Sequence, residues 1–226
     1  MLTSTDVLRI RGNIASILQA SSSISPVQAA GILPIKDLQG KLYEAHILAT
    51  IIQNLTTLEG CTIKLVSSGT LTLKQKGSPI NRTYPYFEVY RNRALIGEIF
   101  TDTEFLSLSF SLRRAKTITT SDYHELDIVT FSPGLNGRPR HEDVLLAVEC
   151  KATSVEKSTF REVLGFRREL ALLQSTPQKT SFNTWPINLI TANPPSVHMF
   201  YSIDRPILKY KDNAFIYGIL VIHETM

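Results

Sequence analysis

The hydrophobic period of this chain changes three times, and those changes constrain its fold more than any single residue does. Up to Gly60 the apolar residues recur at helical spacing; from Cys61 they alternate; after Lys151 the helical spacing returns, and strands close the chain. Leu8, Ile10, Ile14, Ile17 and Leu18 follow the capping residues of "TSTD", and Pro26 opens a short helix ending at Gly31. A long helix is predicted from about Ile35 to Glu59, stopped by Gly60, with Leu38, Leu42, Ala45, Leu48, Ile51, Ile52 and Leu55 as apolar positions. "CTIKLV", "GTLTLK", "YPYFEVYRNRALIGEIF" with a turn near Asn92, "FLSLSFSL", "HELDIVTF" and "VLLAVECK" read as strands. Beyond Lys151, Thr159 and Glu162 have the spacing of a capping box, and Phe160, Val163, Leu164, Leu170, Ala171 and Leu173 form an apolar face. "INLITAN" and a last strand, "NAFIYGILVIH", follow. Helices, strands, a helix, then strands predict an α/β or α+β domain. Residues 1–34 read as an N-terminal helical segment and 35–226 as the main domain.

At 226 residues and 43% hydrophobic, the chain can bury a sizeable core. The net charge of +4 is a mild excess, compatible with a nucleic-acid partner without requiring one. Cys61 and Cys150 form no CxxC or Cys/His cluster, which leaves out a disulfide framework and a zinc site. The start of the chain has no cationic leader, and the longest apolar run, "AFIYGILVI", is nine residues. A bilayer span needs roughly 20. The expectation is a soluble cytoplasmic protein with no membrane partner.

The strand "VLLAVECK" ends in Glu149-Cys150-Lys151, and the two-residue repeat of a strand sends Glu149 and Lys151 to one face. Asp127 stands inside the apolar strand "HELDIV", with Glu125 two residues before it. Antiparallel pairing across the short connection brings Asp127 close to Glu149. Two acids across a ladder repel each other, and a divalent cation resolves the conflict: Mg²⁺, with Mn²⁺ as a substitute. Such an ion activates a bound water, and Lys151 beside it stabilises developing charge. Glu44 falls on the apolar stripe of Leu48, Ile51 and Leu55, so it points toward the strands, where it would hold Lys151 or a water of the metal shell. Plainer readings stand beside these: a solvated pair at a strand end, a satisfied core carboxylate, an acid at a stripe margin. Glu98, Asp102 and Glu104 have no lysine nearby in sequence and read as a solvated face or an insertion contact.

Together, Glu44, Asp127 and Glu149-Cys150-Lys151 resemble the PD-(D/E)xK, restriction-endonuclease-like nuclease superfamily over roughly residues 41–174. The resemblance implies a restriction-endonuclease-like core, a central mixed sheet flanked by helices. It carries N-terminal helices and a β-rich insertion at about 69–113. It assigns Asp127 and Glu149 to metal, with the Cys150 backbone carbonyl as a further ligand, Lys151 to assisting the nucleophile and Glu44 to the helical acid. Leu126 stands where the motif often has proline. The activity implied is Mg²⁺-dependent endonuclease cleavage of phosphodiester bonds, DNA favoured, by a homodimer, with a role in restriction or phage defence. Candidate nucleic-acid contacts are Lys74, Lys76 and Arg82, Arg138 and Arg140 beside the site, and Arg161 and Arg168, flanked by Lys157 and Arg167, on the following helix. A non-cleaving nucleic-acid-binding module or subunit, and a hydrolase of a small phosphorylated molecule, are the other classes.

Overall fold

The computed structural model describes residues 3–22, 24–30, 39–66, 73–74, 76–114 and 116–226. Helix α1 (Ser4–Ser21) starts where Thr3 and Asp6 bond each other's backbone N–H, and it buries Ile10, Ile14 and Leu18 against α3. The short α2 (Pro26–Ala30) leads to α3 (Gln39–Thr57), whose Leu42, Leu48, Ile51, Ile52 and Leu55 are all buried. Residues 35–38 of the expected long helix lie outside the described residues, as do 69–72 of the strand expected in "GTLTLK"; Leu73 and Lys74 belong to no strand.

Alternation then produces β1 (Thr62–Val66), β2 (Tyr86–Arg91) and β3 (Ala94–Leu106). Asn92 and Arg93 both have positive φ (51° and 67°), the conformation that lets a two-residue turn follow the twist of a hairpin. The stretch read as an insertion thus supplies two strands of the central sheet. "SLSFSL" does not continue as a strand: Ser107 caps Phe110 N–H at 3.2 Å, and α4 (Leu108–Arg113) forms instead. β4 (Tyr123–Phe131) and β5 (Val144–Lys151) are the two strands expected to carry the motif.

Helix α5 (Lys157–Leu170) begins two residues before Thr159, so the expected capping box is interior to it, and Ala171 is already extended. β6 (Leu172–Lys179) and β7 (Leu189–Asn193) form a separate two-stranded ribbon. β8 (Val197–Ser202), buried at every position, follows, then α6 (Lys211–Ile216) and β9 (Ile219–His223). The last expected strand is therefore a helix up to Ile216 and a strand only after Gly218.

The result is a mixed α/β architecture with a seven-stranded sheet of order β1-β2-β3-β4-β5-β8-β9. β1 to β5 are an antiparallel meander, and β8 and β9 add in parallel to β5, a change that requires the α5 crossover. α1 and α3 cover one face, where Ile63, Val89, Ile99, Ile128, Val148 and Met199 meet them. α5 covers the other, with Phe166 and Leu170 against Phe105, Val129 and Ala147, and Phe160 and Val163 against Phe200 and Val221. No helix among the described residues is long and apolar enough to cross a membrane.

Candidate metal centre

Side-chain alternation slips by one residue at the same rung of β3 and β4. Phe100 and Phe105 both face α5, as do Leu126 and Val129, although five and three residues separate them. A regular strand would put an odd-numbered step on opposite faces. Thr101 pairs with Ile128 and Thr103 with Leu126, so the residues opposite each other at the slip are Asp102 and Asp127. Asp102 adopts φ 46°, a left-handed conformation that aspartate tolerates better than most L-residues. The slip turns both acids toward α3. Beyond the end of β2, Ser78 takes the neighbouring place: its N–H donates to Asp102 O (3.3 Å), and its carbonyl accepts from Glu104 N–H (3.0 Å).

On α3, Lys41 and Glu44 share a face one turn apart and meet that rung. Lys41 Nζ donates to Glu44 Oε2 at 2.6 Å and to Asp102 Oδ1. One carboxyl oxygen from each of Glu44, Asp102 and Asp127 lies within 4.8 Å of the others. Asp127 Oδ2 also accepts the Cys150 backbone N–H at 2.7 Å, which ties β4 to the end of β5. Glu149 is not a member of this trio. Its Oε1 is buried without a partner, and Asp127 is the charge that acts on it most strongly. The half-buried Lys151 exerts its charge on both Asp127 and Glu149.

Crowding of acids away from water pushes all four carboxyls up. Burial, then repulsion from Asp127, raises Glu44 to about 8. Burial raises Asp102 to about 7 against the opposing pull of Lys41. Asp127 is raised by burial despite the Cys150 N–H, and Glu149 is raised well above the usual range by burial and Asp127. For Lys41, burial works against the charge, but its hydrogen bonds to Asp102 and Glu44 outweigh that and raise the pKa.

No family model, curated protein or solved structure matches this chain.

Of the residues expected from sequence, Glu44 and Asp127 are brought together, with Glu149 and Lys151 electrostatically linked to them. Two were missed. Asp102, read as a solvated face, is 1% exposed and inside the centre. Lys41 pairs with Glu44, for which the sequence suggested Lys151 or a water of the metal shell. The three-residue spacing of Lys41 and Glu44 was the available signal; nothing in the alternation of "EIFTDTEFL" announces the slip.

Several candidate nucleic-acid contacts are committed to the fold instead. Arg82 forms a bidentate pair with the buried Glu98 (3.0 and 2.7 Å) and donates to Leu135 O. Arg138 Nε donates to Glu104 Oε2 at 2.6 Å, its guanidinium over the Tyr123 ring. Lys74 is buried, its ammonium facing Asp102, Glu104 and Glu125, and burial lowers its pKa. Arg167 is buried in the core rather than on the basic face of α5. Lys76, Arg140, Arg161 and Arg168 are exposed.

Proposed function

We propose that the chain is a divalent-cation-dependent nuclease of the PD-(D/E)xK type, cleaving phosphodiester bonds, with DNA as the favoured substrate. The observation that carries this reading is the convergence of acids from α3, β3 and β4 within 4.8 Å, with the charge of Lys151 at the end of β5 acting on Asp127. The order of elements supports it: a helix carrying an acid, antiparallel strands carrying Asp127 and Glu149-Cys150-Lys151, then a helix leading to a parallel strand.

The donor set suits Mg²⁺ or Mn²⁺. Every side-chain ligand on offer is a hard carboxylate oxygen. Glu44, Asp102 and Asp127 would hold the ion; Glu149, which strand alternation places with Ala147 on the α5 face, is not among the converging oxygens. When bound, Mg²⁺ supplies positive charge to a phosphoryl oxygen and lowers the pKa of a water. Lys151, two residues from Glu149 on the end of β5, would place positive charge where negative charge develops on the phosphate. The Cys150 N–H fixes the orientation of Asp127.

The test is digestion of plasmid and oligonucleotide by wild type, Asp127→Asn and Lys151→Ala, with Mg²⁺ or EDTA. Wild type should cut only with the ion, and Lys151→Ala should be slower by about 100-fold or more. Equal rates for Lys151→Ala would remove the role given to that residue. DNA bound but left uncut with both Mg²⁺ and Mn²⁺ would favour a non-cleaving module.

A further inference from the structure

Arg167, near the end of α5, is 4% exposed, and among the described residues no carboxylate pairs with it. Its Nε donates to Tyr217 O at 2.9 Å and its Nη1 to Ser196 Oγ at 3.1 Å. Nη2 is buried without a partner, as are both ring nitrogens of His198, on which the guanidinium charge acts. Burial lowers the Arg167 pKa to about 10, so the group is still a cation at neutral pH. Arginine is seldom buried unless an anion meets it, because an uncompensated charge away from water is costly.

The free Nη2 adjoins the wall of a cavity. Gly218, in the turn between α6 and β9, has φ 69°, and a Cβ there would stand 3.1 Å from Arg167 Nη2 and 2.9 Å from Ile190 Cγ1. Gly218 and Ile190 both line a cavity of about 370 Å³, together with Leu189, Phe215, Ile216 and Leu220. That is the size of a small-molecule site. The lining contains no charged residue, and the Leu189, Phe215 and Ile216 side chains are exposed to solvent. An apolar chamber with an unpaired cation behind its wall matches a molecule that has a hydrocarbon body and an anionic head.

We propose that this cavity binds a small apolar carboxylate, its body between β7 and α6 and its acid group against Arg167 Nη2. A carboxylate suits the site better than a phosphate, which would bring more negative charge than one guanidinium balances. Glycine at 218 leaves the close approach that a side chain would fill. The Ile190 side chain, at the same wall, turns to admit the head. None of these residues belongs to the metal centre, so the proposal stands apart from the nuclease reading.

The experiment is calorimetric titration of the full chain with octanoate, octanamide and acetate, with thermal unfolding in parallel. Octanoate should bind at one site per chain and raise the melting temperature, as any ligand of the folded state does by mass action. Octanamide keeps the body but loses the charge, and should bind about tenfold more weakly. Acetate keeps the charge but loses the body, and should be weaker by about as much. Arg167→Gln should erase the preference for octanoate over octanamide. Ile216→Asp, at an exposed position, should weaken octanoate without lowering the melting temperature of the unliganded protein, so this arm does not depend on replacing a buried residue. Octanoate that does not bind, or that ignores Ile216→Asp, would overturn the proposal. Octanamide binding as tightly as octanoate would show an apolar cavity in which Arg167 has no part, and acetate binding as tightly would show an anion held without the cavity; either result overturns it too.

Discussion

His198, on β8, has both ring nitrogens buried without a hydrogen-bond partner, and the buried guanidinium of Arg167 is the charge that acts on it. Burial first, and Arg167 second, lower its pKa to about 3. A base with a depressed folded pKa stays neutral in the native state while the unfolded chain takes up the proton. Stability is therefore fully present above the unfolded value near 6.5 and falls as pH drops toward 3. By pH 4 the loss is about 3 kcal/mol, because each tenfold difference in proton affinity between the two states is worth about 1.4 kcal/mol. Denaturant unfolding of wild type and His198→Leu from pH 7 to pH 4 should show the variant gaining on wild type by that amount; parallel profiles would refute the assignment. Legibility at this scale followed periodicity. The convergence of Glu44 and Asp127 could be read because periods of 3.6 and 2 place side chains on faces. Asp102 could not, because its position comes from a slip shared by two strands, and a left-handed aspartate leaves no mark in the sequence.

Glu59, just past the end of α3, holds three elements at once. Its carboxylate accepts the backbone N–H groups of Asn183 (3.0 Å), Trp185 (2.6 Å) and Thr184 and pairs with Arg91 at the end of β2. Burial works against the charge, yet those N–H groups and Arg91 keep its pKa below the usual range, so the clip weakens as pH falls through that lowered value. Glu59→Ala leaves buried donors and a guanidinium without their acceptor, a loss of about 3 kcal/mol. Thermal unfolding checks it, and a change within about 0.5 kcal/mol, the usual size for a surface substitution, would show that the clip contributes little. Elements with a clean period were legible here: α1, α3, β2, β4 and β5. β8 was hidden because it is buried on both faces and shows no alternation, between a proline turn and a 3₁₀ segment. "NAFIYG" looked like a strand because its aromatic and β-branched residues suit one; the structure makes it α6, packed against β9.

At the scale of the molecule, an acidic centre sits in a chain of net charge +4, so under the proposed function the free cations would decide how a polyanion approaches. The mixed α/β class followed from the changes of period, but the pairing of Arg82 and Arg138 with Glu98 and Glu104 depends on acids distant in sequence and could not be read. Removing these two and the buried Lys74 from the candidates leaves two groups on different sides. Arg161 and Arg168 lie on α5, across the sheet from Glu44. Lys76 and Arg140 lie in loops at the acidic end of β3 and β4: a side chain on Gly77 would collide with the Glu125 carboxyl, and Arg140 bridges to Leu106. Arg140 has only a 3.8 Å contact with the exposed Glu142, which leaves its charge available. Under the proposed nuclease function, a duplex would come to Asp127 from the loop side, where these two cations lie. In a Lys151→Ala background, which limits cleavage, Lys76→Ala and Arg140→Ala should each reduce the slope of log affinity against log salt by about one, while Arg161→Ala and Arg168→Ala change it less. Fluorescence anisotropy between low and moderate salt measures this. If the α5 variants lose the slope and the loop variants keep it, nucleic acid crosses the opposite face, and the route to the centre proposed here is wrong.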